Sequence, residues 1–564
     1  MRITLLILIA ACLQAEAVDS FPVNRRTGLG SGATTNTWAS VGIPGGRPIV
    51  STVFTTLDNT ISASTLNSII QSCPSNQVIQ LTNKLFNFAG TTINLTKNGV
   101  VLRGATNSSG FPTTQFTNTQ VRTTTYWGPE GANGNFPDVT VRGVSSGYTE
   151  GSTSITLSSA PNSDFAVGSI FVLDQTDDSS LVYPDTHNPA LYVRAGRCYA
   201  LPLYCTNISG SVLSFTPPLL GTYWASGRTP QVFGWASTYG ATATRVGFEN
   251  VDLYQGSGGD VNETVKFLAT YQSWIFNVRV RLEGYAATAL MWSCNSELRH
   301  CIIRDTVGDG SANYATLGAV INSCRIEDNI YSNLSLAITM SSIVGSSVSF
   351  NYVSGPYPYS TSFWLAECIF PHGGHPHHDI FEGNWSAGPL SIENLFGNNN
   401  SDIGVVRNRF IGAFTGKTAN TTPIQLYAHT DNTTILGNSL GLAGYHDTYS
   451  GTEEGAARIY GFNATASGTI TTNNYNTVDA GVHSPGEVEA AGNSIATSYA
   501  YDSKPAWFGD RPWYAFGPSS YGVNAFTNIP AGYRSFYGMD VPAESQPPAG
   551  GTLIVLGRIA GTRL

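Results

Sequence analysis

The chain has 564 residues, a formal net charge of −9 and only 12% charged residues, with 60 Gly and 4 Met. An acidic chain of this kind carries no electrostatic footprint for nucleic acid, so nucleic acid is not expected as a partner. The composition suits strands and turns rather than long helices, and the length allows a core and more than one subdomain.

Residues 1–17, MRITLLILIAACLQAEA, read as a signal peptide: one Arg, an apolar run, then Ala15-Glu16-Ala17 as a small-x-small cleavage site. Secretion with cleavage after Ala17 is therefore expected; a lipoprotein box ending at Cys12 is the rival, after a very short leader. No other stretch reaches about 18 uninterrupted apolar residues, so no membrane span is expected. Residues 18–55 form a Gly- and Pro-rich extended leader. Residues 56–137 begin with a predicted helix in SASTLNSIIQSC, ended by Pro74, and continue into strands such as VVLRGA. A helix there protects the open end of a stacked coil. Residues 138–232 read as an inserted antiparallel β subdomain, from GYTEGSTSITLSS, AVGSIFVLDQTDD and GSVLSFTPPL. Residues 501–564 are an aromatic, Pro-rich tail expected to pack back along the coil.

Between them, residues 233–500 carry a recurring turn. Short β-like segments repeat around Asn250, Asn277, His300, Ser323, Asn351, Asn384, Asn408, Asn438, Asn474 and Asn493, with steps from 19 (Asn474 to Asn493) to 36 residues (Asn438 to Asn474). An irregular strand repeat of this period predicts a parallel β-helix, in which each rung buries its apolar side only by stacking. Asn suits the corners because it tolerates left-handed backbone, and stacked amides about 4.8 Å apart can form a ladder. An antiparallel sandwich would need paired turn signals every 8–12 residues, and these are missing here.

Aligning HCIIRD with SCRIED puts Cys301 over Cys324 and Asp305 over Asp328. Two carboxyls so stacked would lie about 5 Å apart, the separation of a retaining glycosidase, with Asp309 a third acid nearby. The bland reading makes one Asp a turn cap and the other the partner of an Arg. On outward positions Arg279, Arg281, Arg304 and Arg325 form a basic stripe that suits sugar carboxylates or sulfates; a salt-bridged surface ladder is the alternative. The densest polar cluster runs from Glu367 through His372, His375, His377 and His378 to Asp379. His375 and His377 share one side of the backbone, as a general base or as two ligands of a divalent Zn²⁺ or Cu²⁺ ion. Two imidazoles are not a full ligand set, so no metal site is assigned. Trp364, Tyr357, Tyr359, Phe363 and Trp385 are expected around that loop, with Trp364 a stacking platform for sugar. Without Cys12 seven of the eight cysteines remain; Cys198–Cys205 closes a short loop and is a plausible disulfide, while Cys301 and Cys324 bridge or simply stack, with Cys294–Cys301 the rival pairing.

The segments STLNSIIQSCPSNQVIQL and VVLRGA, and further on HGGHPHHDIFEGN, VVRNRFIGA, ILGNSLGLAGYH and SKPAWFGDRPW, resemble the pectate-lyase-like superfamily of secreted right-handed β-helix proteins, in a bacterial glycosyl-hydrolase-related branch. The resemblance implies an extracellular polysaccharide as partner and lyase or hydrolase chemistry. It supplies no catalytic residues: neither a polygalacturonase pattern nor an Arg-centred pectate-lyase motif is present. The expectation is thus an all-β chain, a right-handed parallel β-helix with an N-terminal helical cap and an inserted subdomain, cleaving a polysaccharide in a groove along the coil. The catalytic candidates are Asp305, Asp328, Asp309, His375, His377 and Glu367. The substrate-binding candidates are Arg279, Arg281, Arg304, Arg325, Trp364, His372 and Asp379. A non-catalytic glycan-binding or adhesin module and a rigid surface spacer are the alternatives, since function lives in the site and not in the coil.

Overall fold

Strands of two to nine residues cannot bury their own apolar faces, and along most of this chain they are stacked in register on the preceding turn. The computed structural model describes residues 41–124, 139–178 and 192–537, apart from residues 222, 240–241, 255–262, 282–285, 306–313, 357–362, 394–401, 429, 431–432, 443, 452–457, 463–469, 473, 477–497, 502, 514–515 and 517–525. Among the described residues the coil has three parallel sheets: A with twelve strands, B with eleven and C with thirteen. The chain is a parallel β-helix.

The core lies inside the three sheets. In sheet A the column Phe248, Ile275, Leu298, Ile326, Val348 and Phe381 points inward. Sheet B contributes Leu253, Val280, Ile303 and Tyr331. Each such side chain contributes about 1.5–3 kcal/mol on burial. At one end the helix Ala63–Ser72 is started by Ser62, whose Oγ accepts from the Thr65 N–H. It sinks Leu66 and Ile70 into the core. Its Asn67 amide exchanges hydrogen bonds with Thr92 O and Asn94 N, beside the edge strand Ile93–Asn94 of sheet C.

The corner from sheet A to sheet B is built by two consecutive positions. The first takes a left-handed backbone: Asn250, Asn277, His300, Asp328, Phe350 and Arg407 all have φ between 51° and 59°, and Gly383 and Gly437 take it where no Cβ resists. The second holds the predicted amide ladder: Asn329, Asn351, Asn384, Asn408, Asn438 and Asn474. Each Nδ2 from Asn329 to Asn438 donates to the Oδ1 one rung on, at 2.9–3.0 Å. Each also donates to a carbonyl of the preceding rung, as Asn408 does to Phe381 O at 2.9 Å.

This register corrects the sequence alignment. The rung partner of His300 is Asp328, 28 residues on, because the His300 N–H donates to Glu327 O. Ser323 sits at the other corner, from C to A, in line with Asn295 and Gly345. Cys301 and Cys324 are therefore on different corners. Cys73, Cys198, Cys205, Cys294, Cys301, Cys324 and Cys368 form no disulfide among the described residues. Cys198 and Cys205 stand at two ends of one extended stretch, with Tyr199–Ser209 a single strand, and seven residues of strand span about 23 Å, far beyond disulfide reach.

Between the coil strands Val121–Arg122 and Ala243–Thr244 the chain builds a closed six-stranded antiparallel barrel, from Thr140–Ser146 to Gln231–Gly234. Its entry and exit lie on one rung: the Thr123 hydroxyl donates to Leu268 O and the Ala243 N–H to Ala269 O. The barrel seats Val172, Ala200, Phe233 and Trp235 against Met291, Trp292 and Leu317 on the outside of sheet C.

The outer face of sheet A is covered by both ends of the described chain. The Ile43 N–H donates to Glu297, and Arg47 pairs with Glu249 at 2.9 Å. Later, Tyr501 donates to Glu327 at 2.6 Å, and the Tyr499 and Ala500 N–H groups donate to Glu382. Arg534, on the helix Pro530–Tyr537, pairs with Asp328. No helix among the described residues is long and apolar enough to cross a membrane.

Candidate functional site

The residues singled out from the sequence fall into four places. Asp328 is fully buried between His300, at 2.5 Å, and Arg534. Burial pushes its carboxyl up, but the Arg534 guanidinium and the His300 ring bonded to it outweigh that and hold it below the ordinary carboxylate range. Asp305 lies past the end of sheet B with its side chain 49% exposed, accepting from Asn333 Nδ2 at 3.1 Å. The expected carboxylate pair is thus not assembled, because the two acids occupy different corners of the coil. Asp309 lies outside the described residues, as do Tyr357 and Tyr359.

Arg325 also leaves the expected stripe. It is a buried residue of sheet A, bonded to Glu327 at 3.1 Å and to Val41 O at 2.9 Å, with its guanidinium 4.6 Å from the Tyr501 ring centroid. Arg299 joins Glu327 at 2.8 Å. Burial alone would raise the Glu327 carboxyl; the arginines reverse this and hold it low.

The His-rich segment is at the seam with the barrel. His375 and His377 are 1% exposed, and the Tyr199 ring stacks on His377 at 4.6 Å and lies 5.3 Å from His375. His377 and His378 meet through their Nδ1 atoms at 2.9 Å. Asp379 accepts from the Ser346 N–H at 2.8 Å, a corner cap. His372 pairs with Glu393, one rung on, and packs on Phe370 at 4.2 Å. Glu367 accepts from Asn420 Nδ2 at 2.8 Å, and Gln425 donates to Asn420 Oδ1. Glu367 and His372 lie on either side of the strand Ile369–Pro371 and bond to different partners, Asn420 and Glu393, so they do not form one centre. Trp364 bridges to Ala419 and is half-buried, whereas Trp385 packs on Tyr352 at 4.9 Å in sheet B, away from this loop. No group of three or more His, Cys, Asp or Glu suited to a metal ion occurs among the described residues.

What does come together is on the outer face of sheet B. Arg279 and Arg281 alternate with inward Val280, and Arg281 is in register with Arg304 on the next rung. On the preceding rung stand Asp252 and Tyr254, in register with Arg279 and Arg281. A groove of about 270 Å³ is lined by Leu85, Gln115, Thr117, Asp252, Tyr254 and Arg281. Leu85 is 52% and Tyr254 47% exposed, Arg281 is exposed, and Asp252 is 8% exposed. Arg279 lies 4.0 Å from Asp252 and packs over Phe111, 4.6 Å from the ring centroid. Burial pushes the Asp252 carboxyl above its ordinary range, against the pull of Arg279, Arg281 and Arg304. The face therefore offers two arginines in register on neighbouring rungs, an aromatic ring and one acid whose carboxyl burial raises above its ordinary range. Sequence reasoning missed Asp252 and Tyr254, yet the signal was present: VDLY alternates as RVR does, with Leu253 and Val280 inward.

No protein-family model matches the chain, and no curated protein matches it. Among solved structures it is similar to the tailspike protein gp49 from Pseudomonas phage LKA1, at 13% identity over 73% of this chain and 71% of that one, TM-score 0.44. It is also similar to the gp54 tailspike of Acinetobacter baumannii bacteriophage AP22, solved with a capsular saccharide, at 10% identity over 75% of this chain and 64% of that one, TM-score 0.41. A third is PfbA, a surface adhesin of Streptococcus pneumoniae, at 11% identity over 73% and 86%, TM-score 0.34. At these identities and scores the likeness carries nothing about chemistry.

Proposed function

We propose that the outer face of sheet B binds an acidic polysaccharide. The observation that carries this reading is the in-register pair of Arg281, exposed, and Arg304, half-exposed, on neighbouring rungs beside Asp252 and Tyr254. Like charges about one rung apart repel, and the ion pair of Arg304 with Asp305 at 3.6 Å is solvent-exposed and worth little, whereas a row of carboxylates or sulfates would neutralise both arginines bidentately. Tyr254 offers an apolar face to a sugar ring. In this reading the coil is the right-handed form of the pectate-lyase-like superfamily, the helix Ala63–Ser72 is its cap, the barrel is an inserted subdomain, and the chain is exported after loss of residues 1–17.

The test is an affinity measurement with acidic and neutral polysaccharides at low and high salt. The wild type should bind acidic polymers, and less well in salt. Arg281→Ala and Arg304→Ala should each weaken binding about tenfold, the loss of one charge-assisted contact. Equal binding of neutral polymers, or variants indistinguishable from wild type, would refute the reading.

Asp252 favours a second reading, cleavage of the bound chain. A carboxyl whose hold on a proton is strengthened by burial can, in its protonated form, donate that proton to a leaving glycosidic oxygen. Reducing ends alone would mean hydrolysis, and reducing ends with the ultraviolet absorbance of unsaturated uronate would mean elimination; loss of either in Asp252→Asn would assign the acid.

A further inference from the structure

A stack of strands leaves an open row of backbone groups at the end of each sheet unless something covers it. At the N-terminal end of the coil two of the three sheets are closed. The helix Ala63–Ser72 covers the last strand of sheet C through Asn67, and Asn59 Nδ2 donates to Leu85 O on the last strand of sheet B. Sheet A ends instead on the strand Val53–Leu57, paired on one side only, with Gln77–Leu81. Thr52 O and Leu57 O accept from the Val78 and Thr82 N–H groups on that paired side. Backbone groups alternate along a strand, so those of Val53 and Thr56 point away from the sheet.

Charge, proline or a covering segment usually blunts such an edge. VFTTL has no charge and no proline, and its register shift, between Val53 and Thr55, leaves Thr55 to Leu57 regularly paired. Ile49, Val53 and Phe54 beside it are 79%, 48% and 39% exposed. Asp58 is the single charged residue from position 49 to position 76.

We propose that this edge pairs with the same edge of a second copy of the chain, joining two coils end to end through sheet A. The protein partner that matches a strand edge is another strand. A two-fold axis makes the pairing antiparallel and self-complementary, and a strand without charges sets no like charges opposite each other. The neutral end also lets two chains of net charge −9 approach without repulsion at the junction. The described ends of the chain itself lie elsewhere. Val41 O accepts from Arg325, and Arg534, three residues before Tyr537, pairs with Asp328. Both sit at Arg325–Glu327, the seventh strand of sheet A counted from this edge. Six strand spacings are about 29 Å, whereas a second copy brings its strand already formed.

The test is sedimentation velocity of the full chain over a wide concentration range, with amide exchange at residues 53–57 followed at each concentration. A junction of one strand pair is small and belongs to the transient class. Wild type should therefore pass from monomer to an elongated dimer as concentration rises, with protection of the Thr56 amide rising in parallel. Thr56→Pro removes the outward donor, and Phe54→Lys puts charge on both sides of the junction. Each should weaken the dimer roughly tenfold, while thermal unfolding of the dilute protein checks that the fold is intact. Phe54→Lys, a change at an exposed side chain, keeps the test open if proline disturbs the strand. A monomer at every concentration, or a dimer that both variants leave intact, would overturn the proposal. Thr56 protected equally at every dilution would also overturn it, because a segment of the same chain would then lie on the edge. None of these outcomes touches the arginine site on sheet B.

Discussion

Arginines 281 and 304 and the acid beside them decide what the sheet B face can do. Asp252 makes a prediction with a definite sign. Burial raises its folded pKa above the unfolded value, so as pH falls the folded chain takes up this proton first. The charged carboxylate is therefore a burden on stability above the raised value, relieved as pH falls toward the ordinary carboxylate range. The groove loses a negative charge over the same window. Affinity for a sulfated polysaccharide, whose charge does not titrate there, should rise as pH falls through it. Asp252→Asn should bind more tightly at neutral pH and show a flatter profile; a profile unchanged from wild type would remove Asp252 from the site. The arginines were legible in the sequence because a period of two fixes which side chains point out. The acid pair was not, because it required knowing which rung lies above which.

At the scale of the element, the amide ladder is what locks one rung to the next. Asn408 gives one Nδ2 bond to Asn438 and one to Phe381 O, while its Oδ1 accepts from Asn384 N and Nδ2. Asn408→Ala leaves these buried partners unsatisfied and should cost about 3 kcal/mol, read as a lower midpoint in chemical denaturation. A loss within experimental error would mean that stacking alone carries the corner. The ladder itself was visible from recurring Asn, but its phase was not. The early rungs place Asn250, Asn277 and His300 at the left-handed position, whereas the later ones place Asn one residue on. A polar side chain suits both places, so composition could not separate them. The slip from 28 to 23 residues after His300 has another origin: Ser323 belongs to the corner from sheet C to sheet A, whereas Asp328 shares the corner of His300.

Over the whole molecule, the C-terminal segment is clipped to the coil by buried carboxylates. Glu327 and Asp328 titrate below their ordinary range because cations outweigh the effect of burial. A depressed carboxylate stabilises above its unfolded pKa, about 4, and that contribution is lost as pH falls through the folded value. The segment should therefore become sensitive to an acid-active protease only below about pH 4. In Arg534→Met, breaking a buried pair worth about 3–5 kcal/mol should make it cleavable already at neutral pH; equal resistance of the variant would show that the aromatic cluster around Trp507 suffices. The sequence by itself determined the coil, since alternating apolar residues in short strands have no other way to be buried, and it determined that Arg279, Arg281 and Arg304 face outward, though not that Arg325 is covered. The tertiary structure alone decided that Asp328 is a clip and Asp305 an exposed residue past the end of sheet B, and that the histidines line the barrel seam. Those outcomes depend on register between rungs and on segments hundreds of residues apart meeting on one face, which local periodicity does not encode.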